Sequence, residues 1–198
     1  MSQVLKLAIV FGFILLYISG CNTTPDSAED PGQSALTKSP VSGPPIASHG
    51  FGDKVNYGQG KHPGLDYALA RGTPIVAPTS GTIITVGDPC PGQPNCGGQF
   101  VTLRVGNHFK ITHGHLRSVV VQEGASVKRG QLLGYSGASN DGNAHLHFGV
   151  CKLDGRCINY TDTIDPNTLW LGNSASCFDP ERDYSSVPET QLTHPVKC

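Results

Sequence analysis

From His49 onward the sequence consists of short apolar runs separated by turn-forming residues, and this punctuation restricts the fold more than any other feature. The 198-residue chain contains 25 Gly and 15 Pro. Within residues 101–105, apolar and polar side chains alternate, which is the period-two pattern of a half-buried strand. No segment after residue 48 carries a sustained apolar stripe at helical spacing. These features predict an all-β domain, an antiparallel two-sheet sandwich or open barrel.

Seven segments have the length and composition of strands and are bounded by Gly, Pro or other turn residues. They are residues 73–77, 82–86, 100–105, 109–115, 119–121, 131–135 and 145–150. The formal net charge of −1 gives no electrostatic reason to expect a nucleic-acid partner.

The N-terminus has the organisation of an export signal over residues 1–20, with Lys6 followed by an uncharged apolar run over residues 7–18. The run ends in Ile18-Ser19-Gly20-Cys21, which resembles the bacterial lipobox and implies lipidation of Cys21. An ordinary signal peptide with a chance cysteine is the alternative. Residues 21–48 hold few large apolar side chains, so we expect a flexible tether from a membrane anchor. Position 22 is Asn rather than Asp, and in a host with two membranes the resemblance to the usual lipoprotein pattern then implies the periplasmic face of the outer membrane.

The other six cysteines are expected to form disulfides, because an exported protein meets an oxidising compartment. Proximity in the sequence suggests three pairs: Cys90 with Cys96, Cys151 with Cys157, and Cys177 with Cys198. The last pair would fasten an irregular tail, residues 167–198, over the domain. A structural zinc site built from four cysteines is the competing interpretation, although the gaps within the local pairs are longer than usual for such sites.

Histidines and one carboxylate carry the chemistry. Alternation along a strand puts His145 and His147 on one face and the apolar side chains between and after them in the core. His62 and Asp66 flank a Pro-Gly turn that can bring both side chains to one point. Two histidines and one carboxylate form the ligand set of an open catalytic zinc site, with one histidine to spare. His113 and His115 share a face if their strand is regular, and a bulge at Gly114 would re-aim one of them.

Three motifs in order carry a family resemblance: His62-x-x-x-Asp66, His113-Gly114-His115-Leu116 and His145-x-His147. They resemble the motifs of the lysostaphin-type (LytM-like) peptidoglycan zinc metalloendopeptidases. The Gly-rich framework of residues 121–134 is also similar to that family, and the resemblance covers residues 50–166.

The resemblance implies one Zn²⁺ ion per chain, held by His62, Asp66 and His147. It makes His115 and His145 the non-ligand catalytic histidines, and His113 is expected to line the substrate groove. It also places the metallopeptidase domain at residues 49–166. Because no Glu base accompanies the ligands, a histidine must handle the proton, and a reference pKa of about 6.5 suits that task.

The resemblance implies an endopeptidase that hydrolyses peptide cross-links or stem peptides of peptidoglycan in the cell envelope. A regulatory module of the same fold, which docks on other cell-wall hydrolases as protein partners, is the alternative. A secreted protease acting on Gly-rich proteins is a third. We expect residues 88–98 and 135–143 to form groove loops that set the bond cleaved. His49, His108 and His194 are interpreted as ordinary histidines, with His194 at the surface.

Overall fold

The structure is a computed structural model that describes residues 43–88 and 97–198. Its described part contains no α-helix, which confirms the all-β prediction. The strands are β1 (Leu65–Ala68), β2 (Pro74–Val76), β3 (Gly81–Gly87), β4 (Gln99–Val105), β5 (Phe109–Val119), β6 (Ser126–Val127), β7 (Leu132–Ser136), β8 (His145–Cys151) and β9 (Thr163–Ile164). One short 3-10 helix, Tyr160–Asp162, lies between β8 and β9, and two more follow β9 at Pro166–Thr168 and Leu171–Asn173.

All strands of the described residues belong to one antiparallel nine-stranded sheet, in which β1-β8-β5-β4-β3-β6 are successive neighbours. The eleven-residue β5 pairs with β4 along one edge. Its other edge pairs with β8 over Lys110–Gly114 and then with β7 over Leu116–Val119. β2 extends the sheet from β7, and β9 extends it from β8. The hydrogen bonding therefore forms one continuous network, and the expected division into a two-sheet sandwich or barrel is not confirmed.

Six of the seven predicted strands are present with shifted ends. The seventh, residues 119–121, is not separate, because β5 continues through Val119 and the chain then leaves the sheet. Three strands were missed: β1, β6 and β9. β6 and β9 have only two residues each, and the four residues of β1 are too few to show a recognisable alternation of apolar and polar side chains.

The core is continuous from the sheet into the tail, residues 167–198. Trp170, Leu192 and Val196 are buried in the same cluster as Phe148 and Ile75. The tail backbone bridges to the sheet, with Val196 opposite Ile75. The expectation that His194 lies at the surface is wrong. Its side chain is fully buried, because it packs into the core between aromatic rings of the sheet and the tail.

Two of the three predicted disulfides are present, Cys151–Cys157 and Cys177–Cys198. These four cysteines are therefore not available for a structural zinc site. Cys90 and Cys96 lie outside the described residues, as do the predicted signal segment, Cys21 and most of the predicted tether. Across residues 43–88 and 97–198, no helix has the length and apolar character needed to cross a membrane.

Candidate metal centre

The pairing of β1 with β8 brings Asp66 and His147 together. The two residues are direct antiparallel partners, so their side chains leave the same face of the sheet. His145 is on that face two residues earlier, while Leu146 and Phe148 point into the core. His62 reaches the same point from the turn that enters β1. This turn is close-packed: a Cβ on Gly64 would lie 2.5 Å from the Phe148 carbonyl oxygen.

The three side chains expected as ligands converge on one point. Asp66 Oδ1 lies 2.9 Å from His147 Nδ1 and 3.2 Å from His62 Nε2. The two nitrogens are 3.2 Å apart. Four ligands arranged tetrahedrally at about 2.0–2.1 Å from zinc lie about 3.3 Å from one another. The donor atoms are thus close to the spacing that a tetrahedral ion requires, and their chemistry, two imidazoles and a carboxylate, fits zinc.

His62 is held in the tautomer that a ligand needs. Its Nδ1 is 3.0 Å from the carbonyl oxygen of Gly50, and a carbonyl only accepts, so Nδ1 carries the proton. Nε2 is then the nitrogen that faces Asp66 and His147, and in the neutral ring its lone pair points towards them. Burial lowers the pKa of His62, but the hydrogen bond and charge of Asp66 outweigh that effect, and the pKa is raised. The backbone carbonyl of Gly50 therefore acts as the supporting partner that ligand histidines usually have.

Asp66 is ionised in this setting. Burial alone raises its pKa, but hydrogen bonds from His147 and His62 hold it well below the usual range. A carboxylate kept charged in a half-buried site is an effective partner for a cation. The charge of Asp66 also acts on Tyr57, because burial first and then this charge raise the pKa of the Tyr57 hydroxyl.

His115 and His145, the two histidines expected beside the ligands, have ring centroids 4.4 Å apart. His145 Nδ1 is 3.0 Å from the Asn143 carbonyl oxygen, and His115 Nδ1 is 2.6 Å from that of Gly97. In both rings Nδ1 must donate, so both Nε2 atoms are left to accept protons. His145 Nε2 is 3.9 Å from Asp66 Oδ1, which places this nitrogen beside the ligand cluster.

Burial lowers the pKa of His115; the Gly97 carbonyl opposes this effect, and the neighbouring His145 and His147 add to it. His115 is therefore neutral at neutral pH, the state in which an imidazole accepts a proton.

A bulge in β5 separates the roles of His113 and His115. Phe109, Ile111 and His113 alternate into the core, but the next fully buried large side chain is Leu116, three residues after His113. The shift is absorbed at His115, whose φ of 60° is unusual for a residue with a side chain. Because of this shift His115 turns towards the site. The bulge was foreseen, but at Gly114 rather than at His115 itself.

The expectation that His113 lines the groove is wrong. Its ring is fully buried and packs edge-on against Phe148, with centroids 5.4 Å apart. Neither ring nitrogen makes a hydrogen bond of good geometry with a described residue, although the backbone of Val101 faces the ring. Burial lowers the pKa of His113 to about 4, so the ring is neutral and acts as a core residue.

Sequence patterns did not reveal the backbone groups that orient these histidines. The carbonyls of Gly50, Gly97 and Asn143 come from three separate loops. Every residue has a backbone carbonyl, so residue type does not reveal which ones contact a histidine. Only the glycines at positions 97 and 98 gave a hint. A Cβ at Gly98 would lie 2.7 Å from the Leu116 carbonyl oxygen, so only glycine permits the loop to approach the bulge.

The antiparallel sheet presents a His-Asp-His cluster with two further histidines beside it. This arrangement is a candidate divalent-metal centre. Comparison with known sequences identifies the family. The profile of peptidase family M23 matches residues 60–163, just over half of the chain, and the chain belongs to this family. The family is zinc-dependent, and its peptidoglycan hydrolases are metallopeptidases.

Three curated relatives differ in their described roles. An uncharacterized metalloprotease of Haemophilus influenzae is 32% identical over 54% of this chain and 22% of its own length. The peptidoglycan DD-endopeptidase ShyA of Vibrio cholerae is 32% identical over 50% of this chain and 22% of its own length. The murein hydrolase activator NlpD of Salmonella typhimurium is 26% identical over 52% of this chain and 27% of its own length. The chain thus matches less than a third of each.

A solved structure supports the same fold. The catalytic domain of the antimicrobial peptidase lysostaphin from Staphylococcus simulans superposes with a TM-score of 0.52 at 28% identity. The match covers 62% of this chain and 90% of that domain. The lysostaphin-type resemblance predicted from the motifs is therefore confirmed.

Proposed function

We propose that the protein is a zinc-dependent endopeptidase that hydrolyses peptide cross-links or stem peptides of peptidoglycan. One observation carries the proposal: the donor atoms of His62, Asp66 and His147 lie within 4.8 Å of one another. These three residues hold the metal in this proposal. Zinc, when bound, supplies Lewis acidity that polarises a scissile carbonyl and acidifies a water molecule.

His115 and His145 handle the protons. Each donates its Nδ1 proton to a backbone carbonyl, which fixes the ring and keeps Nε2 as the acceptor. His115 is neutral at rest, because burial lowers its pKa, so it is ready to take a proton from the attacking water. The ring that has taken this proton then faces the developing oxyanion and can return the proton to the leaving amine.

Peptidoglycan is proposed as the substrate from the family and its relatives. Both ShyA and lysostaphin are peptidases by their names, and ShyA acts on peptidoglycan. Loops that flank the histidines, including residues 135–143, then determine which peptide bond enters the site. Asn140 of this loop approaches Gly97 closely, because a Cβ built on Gly97 would lie 2.9 Å from the Asn140 side-chain oxygen.

The second candidate function is regulatory: the chain binds and activates other cell-wall hydrolases through protein partners. The similarity to the activator NlpD favours this candidate. A module without catalysis does not need the ligand set, however, and here the cluster and both accessory histidines are complete. We therefore place the enzyme first.

Digestion of purified peptidoglycan sacculi separates the two candidates. The full-length protein, in detergent, is incubated with sacculi, and the released muropeptides are identified by mass spectrometry. We expect conversion of cross-linked dimers to monomers, loss of this activity with a chelator and recovery with added zinc. His145→Ala should be inactive, whereas His108→Ala, an exposed histidine outside the site, should match the parent. A zinc-loaded parent that cleaves nothing contradicts the enzyme and favours the regulatory module.

We also propose that the chain is a lipoprotein of the cell envelope, anchored through Cys21 with its domain reaching the wall on the tether. Stable anchoring needs more than one acyl chain, and multiple acylation of the N-terminal cysteine would meet that need. Metabolic labelling with a radioactive fatty acid tests this proposal. The parent should incorporate label and Cys21→Ser should not; equal labelling of both would disprove the lipobox interpretation.

A further inference from the structure

The tail, residues 167–198, contributes two aromatic rings that the proposed chemistry does not use. The rings belong to Trp170 and His194, which are 6% and 0% exposed. They stack on each other with an interplanar angle of 21° and centroids 6.1 Å apart. The tail thus inserts a paired aromatic unit into the core.

Each tail ring packs against the sequence neighbour of a proposed metal ligand. His194 contacts Tyr67 edge-on, with centroids 4.6 Å apart, and Tyr67 follows Asp66 in β1. Trp170 stacks on Phe148, with centroids 5.8 Å apart, and Phe148 follows His147 in β8. Successive side chains of a strand point to opposite faces. The tail rings therefore lie against the core side of the two strands whose other side carries the ligands.

The tail backbone is attached to the domain at several points. Thr193 N and its hydroxyl both donate to the Pro78 carbonyl oxygen, at 2.9 and 3.0 Å. Val76 N donates to the Pro195 carbonyl oxygen at 2.8 Å. The Cys177–Cys198 disulfide closes the tail on itself around His194. The hydrogen bonds of Thr193 and Pro195 flank His194, so its ring cannot withdraw from the core without breaking them.

We propose that Trp170 and His194 are positioning residues for the metal centre. The inference rests on the proposed function and adds to it a part of the chain outside the family match. The paired rings pack on the core side of β1 and β8 and hold these two strands in position. They thereby fix the distance between Asp66 and His147. A constellation of ligands works only when it is held to within about 0.5 Å. Close-packed interiors transmit small displacements. Removing either ring would leave a cavity beside β1 and β8, and the relaxation of these strands would shift the ligands.

Zinc affinity is the measurement that tests this role, by competition with a chromophoric chelator on the full-length protein in detergent. We expect Trp170→Ala and His194→Ala to bind zinc about tenfold more weakly than the parent, the lower end of the effect of supporting residues. Trp170→Phe, which keeps a ring on Phe148, should bind within about twofold of the parent on the same scale. All variants are compared at a temperature at which circular dichroism shows them folded.

Leu103→Ala is the matched control. Leu103 is fully buried in β4, a strand with no proposed ligand. It should lose stability but keep the zinc affinity of the parent. If both tail variants bind zinc as tightly as the parent, the inference is overturned. It is also overturned if Leu103→Ala loses as much zinc affinity as they do, because any core truncation would then have the same effect. If Trp170→Ala does not fold, Trp170→Leu replaces it under the same criteria. A parent that binds no zinc contradicts the metal centre itself, and the inference with it.

Discussion

His113→Leu should change how the stability of the domain depends on pH. The buried ring has a pKa of about 4 in the folded protein because of desolvation, whereas an exposed histidine titrates at about 6.5. The folded state therefore keeps His113 neutral while the unfolded state takes up a proton. Stability from the neutral ring is present above pH 6.5 and is lost as the pH falls from about 6.5 to about 4.

The magnitude follows from these two pKa values. Between pH 7 and pH 5, uptake of one proton by the unfolded state alone lowers the free energy of unfolding by about 2 kcal/mol. Leucine does not titrate, so this loss is absent from the variant. The ring nitrogens of His113 lack well-formed hydrogen bonds, so His113→Leu removes no side-chain hydrogen bond that would otherwise contribute to the free energy of unfolding.

Urea unfolding measures the effect, with fluorescence of Trp170, the single tryptophan, as the probe. Parent and variant are unfolded at pH 7 and pH 5 with a chelator present, so that metal binding does not contribute. The other histidines are common to both proteins, so their titration cancels in the difference. The difference in unfolding free energy should shift by about 2 kcal/mol in favour of the variant at pH 5. The same pH dependence in both proteins would refute a neutral, buried His113.

Three further changes have defined outcomes. His115→Ala should keep its zinc, measured by atomic absorption, but lose about 10²–10⁴-fold in muropeptide release; loss of the metal would make His115 a ligand. Gly64→Ala should lower the melting temperature in a thermal scan, because its Cβ would lie 2.5 Å from the Phe148 carbonyl oxygen; an unchanged temperature would argue against this close approach. Replacing Cys177 and Cys198 by serine opens a crosslink of sequence separation 21. This should cost about 3 kcal/mol in urea unfolding, and no cost would mean that the crosslink adds nothing.

Local periodicity was sufficient to predict the arrangement in β8. His145 and His147 share a face because the strand is regular, and the apolar residues between and after them are buried. The same reasoning failed in β5, where one residue of left-handed backbone at His115 resets the alternation. A non-glycine residue at positive φ has no sequence signature. The family resemblance, and not the alternation, placed His113 in the groove, whereas its ring lies in the core on the face of Phe109 and Ile111.

Long-range packing could not be predicted either. His194 lies in a polar tail that looks exposed, and it is buried because Tyr67 and Trp170, far away in the sequence, pack around it. The convergence of His62, Asp66 and His147 was expected, but the register that pairs Asp66 with His147 became visible only with β1, a strand too short to recognise.

The most direct test of the metal centre is the zinc content of the full-length protein, measured by atomic absorption after dialysis. The parent and His113→Leu should each hold one zinc ion per chain, because His113 is buried away from the ligands. Asp66→Ala should hold almost none, since it removes the carboxylate that contacts both His62 and His147. One zinc ion per chain in Asp66→Ala, or none in the parent, would contradict a metal centre formed by these three residues.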